Sequence, residues 1–228
     1  MVNPFQDFKD FLSKGKSLPL DRLAAAHDKV MAELTTGYSK LVEQELKSLV
    51  WFVEHNRVIE AYKTASEMIK EIDYDGHSIE EFCYHLDSGT DMPYMISGPA
   101  GIFIAALCNH VPDDSIVLRL GEMQRTLHFL GYRLPYGKSL SIDGNVGNFT
   151  GAALQGGEIT VSGFAGDWTG AGMTEGKITI HKHCGRNTGE WMQGGEVWVG
   201  SRIRGLGRVG SGQIYLAGEP VAGDPESV

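Results

Sequence analysis

The chain has 228 residues, 42% of them hydrophobic, with 20 Lys and Arg against 29 Asp and Glu and a formal net charge of −9. Such a chain can build a sizeable core in one or two domains, and an acidic balance without a Lys/Arg tract argues against nucleic acid or an anionic membrane as the main partner. Cys83, Cys108 and Cys184 are far apart with no CxxC pair, which suits neither a disulfide framework nor a structural zinc site, and no apolar run approaches the roughly 20 residues of a membrane span; the expectation is a cytoplasmic protein with no metal and no cofactor.

From Asp21 to about His110 apolar residues recur at helical spacing, as in Leu41, Leu46, Leu49, Phe52, Val53, Ile59, Tyr62, Met68 and Ile72. The pattern predicts a first helix from Arg22 to Thr36 ended by Gly37, and a second that stops before a turn at Asp75-Gly76. Ser78 with Glu81 reads as a capping box for a third helix through Phe82 and Leu86. A fourth follows Ser97-Gly98-Pro99 and runs through Ile102 to Leu107. The Ser97–Gly101 stretch lacks the Lys and the spacing of a phosphate-binding loop, so it reads as a plain helix start. Ile116-Val117-Leu118 looks like a short strand, and no element is assigned from there to a junction near Leu134-Pro135-Tyr136-Gly137.

Beyond that junction the chain repeats itself. Gly157, Gly176 and Gly195 recur at one constant step, and the match extends over the whole period. Leu140, Ile159, Ile178 and Val197 form one column and Ile142, Val161, Ile180 and Val199 the next apolar column along, at the spacing of alternate strand positions. Gly144-x-x-Gly147-x-x-x-Gly151 and Gly163-x-x-Gly166-x-x-x-Gly170 share one glycine pattern, and Gly185 and Gly189 keep its last two members. Each copy reads as a corner, where glycine supplies positive φ or close backbone approach. Leu154, Met173 and Met192 add an apolar column, and Thr150, Thr169 and Thr188 a polar one. A unit this short cannot bury its own apolar face, whereas stacked coils share a continuous core. The fold class is therefore α+β: a helical N-terminal domain over residues 1–135, a right-handed β-helix of about four coils over 136–220, and a tail over 221–228. Arg204 stands where a corner glycine is due and Gly212 returns early, the irregularity of a terminal coil.

The stretch from Gly144 to Gly200, and most of all Gly163-Phe-Ala-Gly-Asp-Trp-Thr-Gly-Ala-Gly-Met, resembles the G-x-x-G-x-x-x-G repeat domain shared by glutamate synthase, in its large subunit, and formylmethanofuran dehydrogenase. The resemblance implies a right-handed β-helix that scaffolds or packs against catalytic parts; it carries no nucleophile or metal ligand onto this chain. The chain also departs from a whole enzyme of either family, having no cluster-binding cysteine series.

Among chemistry-bearing residues, His181 and His183 occupy alternate positions and could face one way on a strand, as a metal site requires, while Cys184 shares a column with Val146 and Ala165 and should pack inside. His128, Asp167 and Glu190 complete the candidate acid/base groups for a site at the interdomain cleft. Arg202, Arg204 and Arg208 put three cations on the last coil, for an anion or acidic partner or to discourage edge pairing. Trp168 shares a column with Phe149, and Trp191 and Trp198 lie in the same half, so an aromatic stack is expected either as a partner surface or as core under the helices. The function this supports is a noncatalytic scaffold or assembly subunit, in a homo-oligomer or a larger oxidoreductase-type complex. A small enzyme working at the cleft and an anion-binding regulatory module are the alternatives.

Overall fold

The computed structural model describes residues 19–46, 55–88 and 97–223. Leu49, Phe52 and Val53 of the helical stripe, and the tail beyond Gly223, lie outside them. Within the described residues four helices precede nine strands. The helices are α1 (Pro19–Leu46), α2 (His55–Ile69), α3 (Gly76–Ser88) and α4 (Ser97–His110).

Two helix boundaries differ from expectation. Gly37 does not end α1, which continues through it to Leu46. It is buried where α4 crosses, and a Cβ there would meet the Phe103 ring at 3.3 Å, so glycine serves close approach and not a cap. The cap of α3 is Asp75 and not Ser78: the Ser78 N–H and hydroxyl both donate to Asp75 Oδ1, each at 2.8 Å. These bonds hold the Asp75 carboxyl below its usual range.

Helix α4 is apolar almost all round, with Ala100 and every residue from Ile102 to Cys108 fully buried, as a helix without a polar face must be. It contacts α1, α2 and α3, and Tyr38, Phe82 and Phe103 cluster on it with their rings steeply inclined to one another.

The strands β1 (Ser115–Arg119), β2 (Ser139–Asp143), β3 (Gln155–Val161), β4 (Glu175–Ile180), β6 (Gln193–Val199) and β8 (Ser211–Leu216) pair in parallel, and β9 (Glu219–Gly223) closes the sheet antiparallel on β8. A second ladder joins the short strands β5 (His183–Cys184) and β7 (Arg202–Ile203). The registers Leu140↔Ile159↔Ile178↔Val197 and Ile142↔Val161↔Ile180↔Val199 are the two repeat columns, all buried. Val197 then pairs with Ile214, a shorter step than the ones before it, so the last coil is cut short. The glycine repeat from β2 to β8 thus winds four coils.

The β-helix starts earlier than the repeat suggests. Ile116 pairs in parallel with Leu140, which makes residues 115–135 a first coil and moves the junction from Leu134–Gly137 back to about Ser115. Residues 221–223, expected in a tail, belong to β9.

Both ends of the solenoid are covered. At the start, the buried Glu80 of α3 accepts the Arg119 N–H at 2.8 Å and pairs with its guanidinium at 3.1 Å. Asn109 of α4 donates to the Tyr62 hydroxyl (2.8 Å) and the Tyr132 carbonyl (3.0 Å), tying two helices to the first coil. At the far end β9 satisfies one edge of β8, which limits the edge-to-edge pairing an open strand invites.

Candidate functional site

The corners decide what most candidate residues do. Each contains alternate positions with positive φ: Phe149, Gly151 and Ala153; Trp168, Gly170 and Gly172; Asn187, Gly189 and Trp191; and, in the first coil, Phe129, Gly131 and Arg133. Left-handed backbone is unusual for Phe, Trp or Arg and persists only where the surroundings over-determine it. Here the neighbouring coil does so through backbone bonds. The Phe149 N–H donates to the Asp167 carbonyl (2.8 Å), that of Trp168 to Arg186 (2.8 Å), that of Gly170 to Thr150 (2.9 Å) and that of Ala153 to Ala171 (2.7 Å).

Side chains reinforce this ladder. The Asn148 N–H donates to His128 Nδ1 (2.9 Å), the Asp167 N–H to Asn148 Oδ1 (2.9 Å), and the Arg186 N–H to Asp167 Oδ1 (2.7 Å). His128 and Asp167 are therefore rungs of one coil-to-coil staple. Glu190 does the same one turn further on, accepting the Arg208 N–H at 3.0 Å. The corner glycines make room for it: a Cβ on Gly166 would sit 2.7 Å from the Asn148 nitrogen, with Asn148 Oδ1 closer still. Thr150, Thr169 and Thr188 point inward, fully buried, and donate to the carbonyls of Gly147 (3.0 Å), Gly166 (3.0 Å) and Gly185 (3.3 Å).

Burial pushes the His128 pKa down, and acceptance at Nδ1 sets its neutral ring as the Nε2–H tautomer. A histidine whose folded pKa lies below its unfolded value contributes stability above pH ~6.5 that is lost as pH falls toward the folded value. His128→Asn places in the first coil the acceptor the second coil already uses. Urea titrations from pH 7 to pH 5 should accordingly show a smaller loss of stability for the variant than for wild type; an equal loss would deny His128 this part.

The two histidines do not share a strand. β4 ends at Ile180, His181 lies exposed in the bend, and His183 opens β5 with its ring stacked on Phe164 at 5.0 Å. Among the described residues, no group of three or more His, Cys, Asp or Glu could hold a metal ion. Cys184 is fully buried, as its column requires, and burial raises its thiol and that of Cys108 to about 12; Cys83 is pushed well above its ordinary value. A colorimetric thiol reagent at pH 8 should modify no cysteine in the native protein and all three in denaturant. Fast reaction without denaturant would show that a core wall opens.

Arg202, Arg204 and Arg208 are exposed on the last coil, and only Arg208 has a carboxylate near it, Glu190 Oε1 at 3.9 Å from Nε, among the described residues.

A cavity of about 850 Å³ opens along the corner face. Its wall is an aromatic ladder: Phe129 stacks on Phe149 (4.7 Å, 3°) and Phe149 on Trp168 (5.3 Å, 10°). The expected Phe149–Trp168 stack is present and gains Phe129 from the first coil. Trp198 belongs to a different stack, on Tyr215 at 3.8 Å. Ala152, Ala153, Ala171 and Gly172 are also in the lining, with Tyr132 and Val58 towards the helices. Trp191, 62% exposed, joins the same lining. His128, Asp167, His181, His183 and Glu190 do not line it, so the structure does not bring the five candidate groups together on this cavity. Its one charged side chain is Arg133, which the sequence does not single out because the first coil carries no repeat to reveal it.

No family model, curated protein or solved structure matches this chain. What the residues can do is therefore read from their geometry. The staples fix backbone, the thiols are sealed, and the accessible features are the arginine edge and the aromatic cavity.

Proposed function

We propose that the protein is a noncatalytic scaffold or assembly subunit, a stiff β-helix with a helical cap. It works in a homo-oligomer or within an oxidoreductase-type complex, in the manner of the repeat domains of glutamate synthase and formylmethanofuran dehydrogenase. The observation that carries this reading is the use of His128, Asp167 and Glu190 as acceptors for the next coil's backbone N–H groups. A carboxylate or imidazole tied into such a ladder gives rigidity, whereas general acid–base work needs a group free to reach a substrate proton. Light scattering on protein purified from its own cells tests it. The expected result is a mass that is a multiple of 24.9 kDa, or a stoichiometric set of redox subunits. A strict monomer that associates with no subunit would overturn it.

A second reading, an anion-binding regulatory module, rests on the exposed Arg202, Arg204 and Arg208. A site for phosphate there should raise the melting temperature as phosphate is added, since a ligand that binds only the folded state stabilises it. A melting temperature unmoved by phosphate at constant ionic strength removes this reading.

A further inference from the structure

The cavity has a direction set by the coil repeat. Arg133, Ala153, Gly172 and Trp191 occupy one left-handed corner position in four successive coils and all line it. Successive coils are about 4.8 Å apart, so Arg133 and Trp191 stand roughly 14 Å from each other along the solenoid, three coil steps. Between them the column carries only Ala153 and Gly172, and a Cβ on Gly172 would meet nothing within 4 Å. The result is a trough with a floor of small residues, a cation at one end and an indole at the other.

Its side is the stack of Phe129, Phe149 and Trp168. The ladder stops at Trp168 because the same corner position in the next coil holds Asn187. Arg133 is half-buried and has no carboxylate in ion-pairing distance among the described residues. A guanidinium partly withdrawn from water and without an anion favours a carboxylate or phosphate brought to it. Aromatic walls favour flat rings, and the volume lies in the range of small-molecule sites.

We infer that this trough binds an elongated, flat aromatic anion, with its acidic group at Arg133 and its ring system along Trp168 and Trp191. The inference does not depend on the scaffold reading, because a scaffold and a free-standing binder could equally carry such a site.

Isothermal titration of the full chain with 4-biphenylcarboxylate, 4-biphenylmethanol and 4-biphenylmethylamine tests it. The acid is expected to bind one site in the micromolar range, about tenfold or more tighter than the alcohol, with the amine weakest. Gly172→Trp fills the floor with the residue the next coil already holds at the same backbone angle, and is expected to abolish binding of acid and alcohol together. Arg133→Gln should weaken the acid about tenfold while leaving the alcohol within roughly threefold. Circular dichroism melts of both variants report folding, and Arg133→Gln alone decides the question if Gly172→Trp does not fold. Absence of saturable acid binding to wild type up to about 1 mM, equal binding of the three probes, or acid binding indifferent to Arg133→Gln would each overturn the assignment.

Discussion

Gly101→Ala should destabilise the protein by about 4 kcal/mol or more, against the sign of helix propensity. Within a helix, alanine is favoured over glycine by about 1 kcal/mol, and Gly101 lies inside α4. Yet a Cβ at this position would stand 2.7 Å from the His128 carbonyl carbon, with the carbonyl oxygen closer still. Both partners are backbone, one in the central helix and one in the first coil, so neither can turn aside as a side chain would. Relief requires moving α4 off the coil it roofs, which opens the fully buried contacts of Leu130 and Ile102. Differential scanning calorimetry should record a fall in Tm of roughly 10 °C. A stabilised Gly101→Ala variant would mean that the helices do not sit on the solenoid in this way.

The second large effect separates two kinds of corner glycine. Gly166→Ala is expected to cost about 3 kcal/mol, because its Cβ meets Asn148 and the Gly147 backbone of the previous coil at 2.7 Å. Gly172→Ala should cost about 1 kcal/mol or less, although Gly172 has φ +63° and Gly166 does not have positive φ. Ala153 and Trp191 already adopt that angle in the same column, and space around Gly172 is open. If denaturant melts gave the reverse order, backbone angle and not coil-to-coil contact would be what these glycines protect.

The solenoid is legible because a stacked coil writes its own period. Each inward position recurs once per coil, so Ile159, Ile178 and Val197 identify themselves as neighbours without any distance information. The first coil is not legible. The step from Ile116 to its partner Leu140 is longer than the step from Gly131 to Gly151, so extra residues sit before that corner and break the phase. It also lacks most corner glycines, with Leu127 and Leu130 at positions held by Gly147 and Thr150 one coil later. Its outer neighbour is an apolar helix and not another coil, so apolar residues replace the residues a coil would require.

Helix ends escape a local reading for a related reason. Local signals place glycine at a helix end and Ser at a cap, but Gly37 answers to Phe103, on a different helix far along the chain. The candidate histidines show the same limit. Spacing puts His181 and His183 on one strand, whereas the chain bends after Ile180 and divides them.

By itself the sequence determined the coil period, the inward columns, the burial of Cys184 and the early return of the last coil, since all are properties of one chain compared with itself. Only the tertiary structure decided that the β-helix begins at Ser115, that α4 roofs it, that His128, Asp167 and Glu190 staple coils, and that Arg133 and Trp191 end one trough. These depend on which backbone lies against which across long separations. Periodicity records that a position repeats; contact between unlike segments leaves no repeat to read.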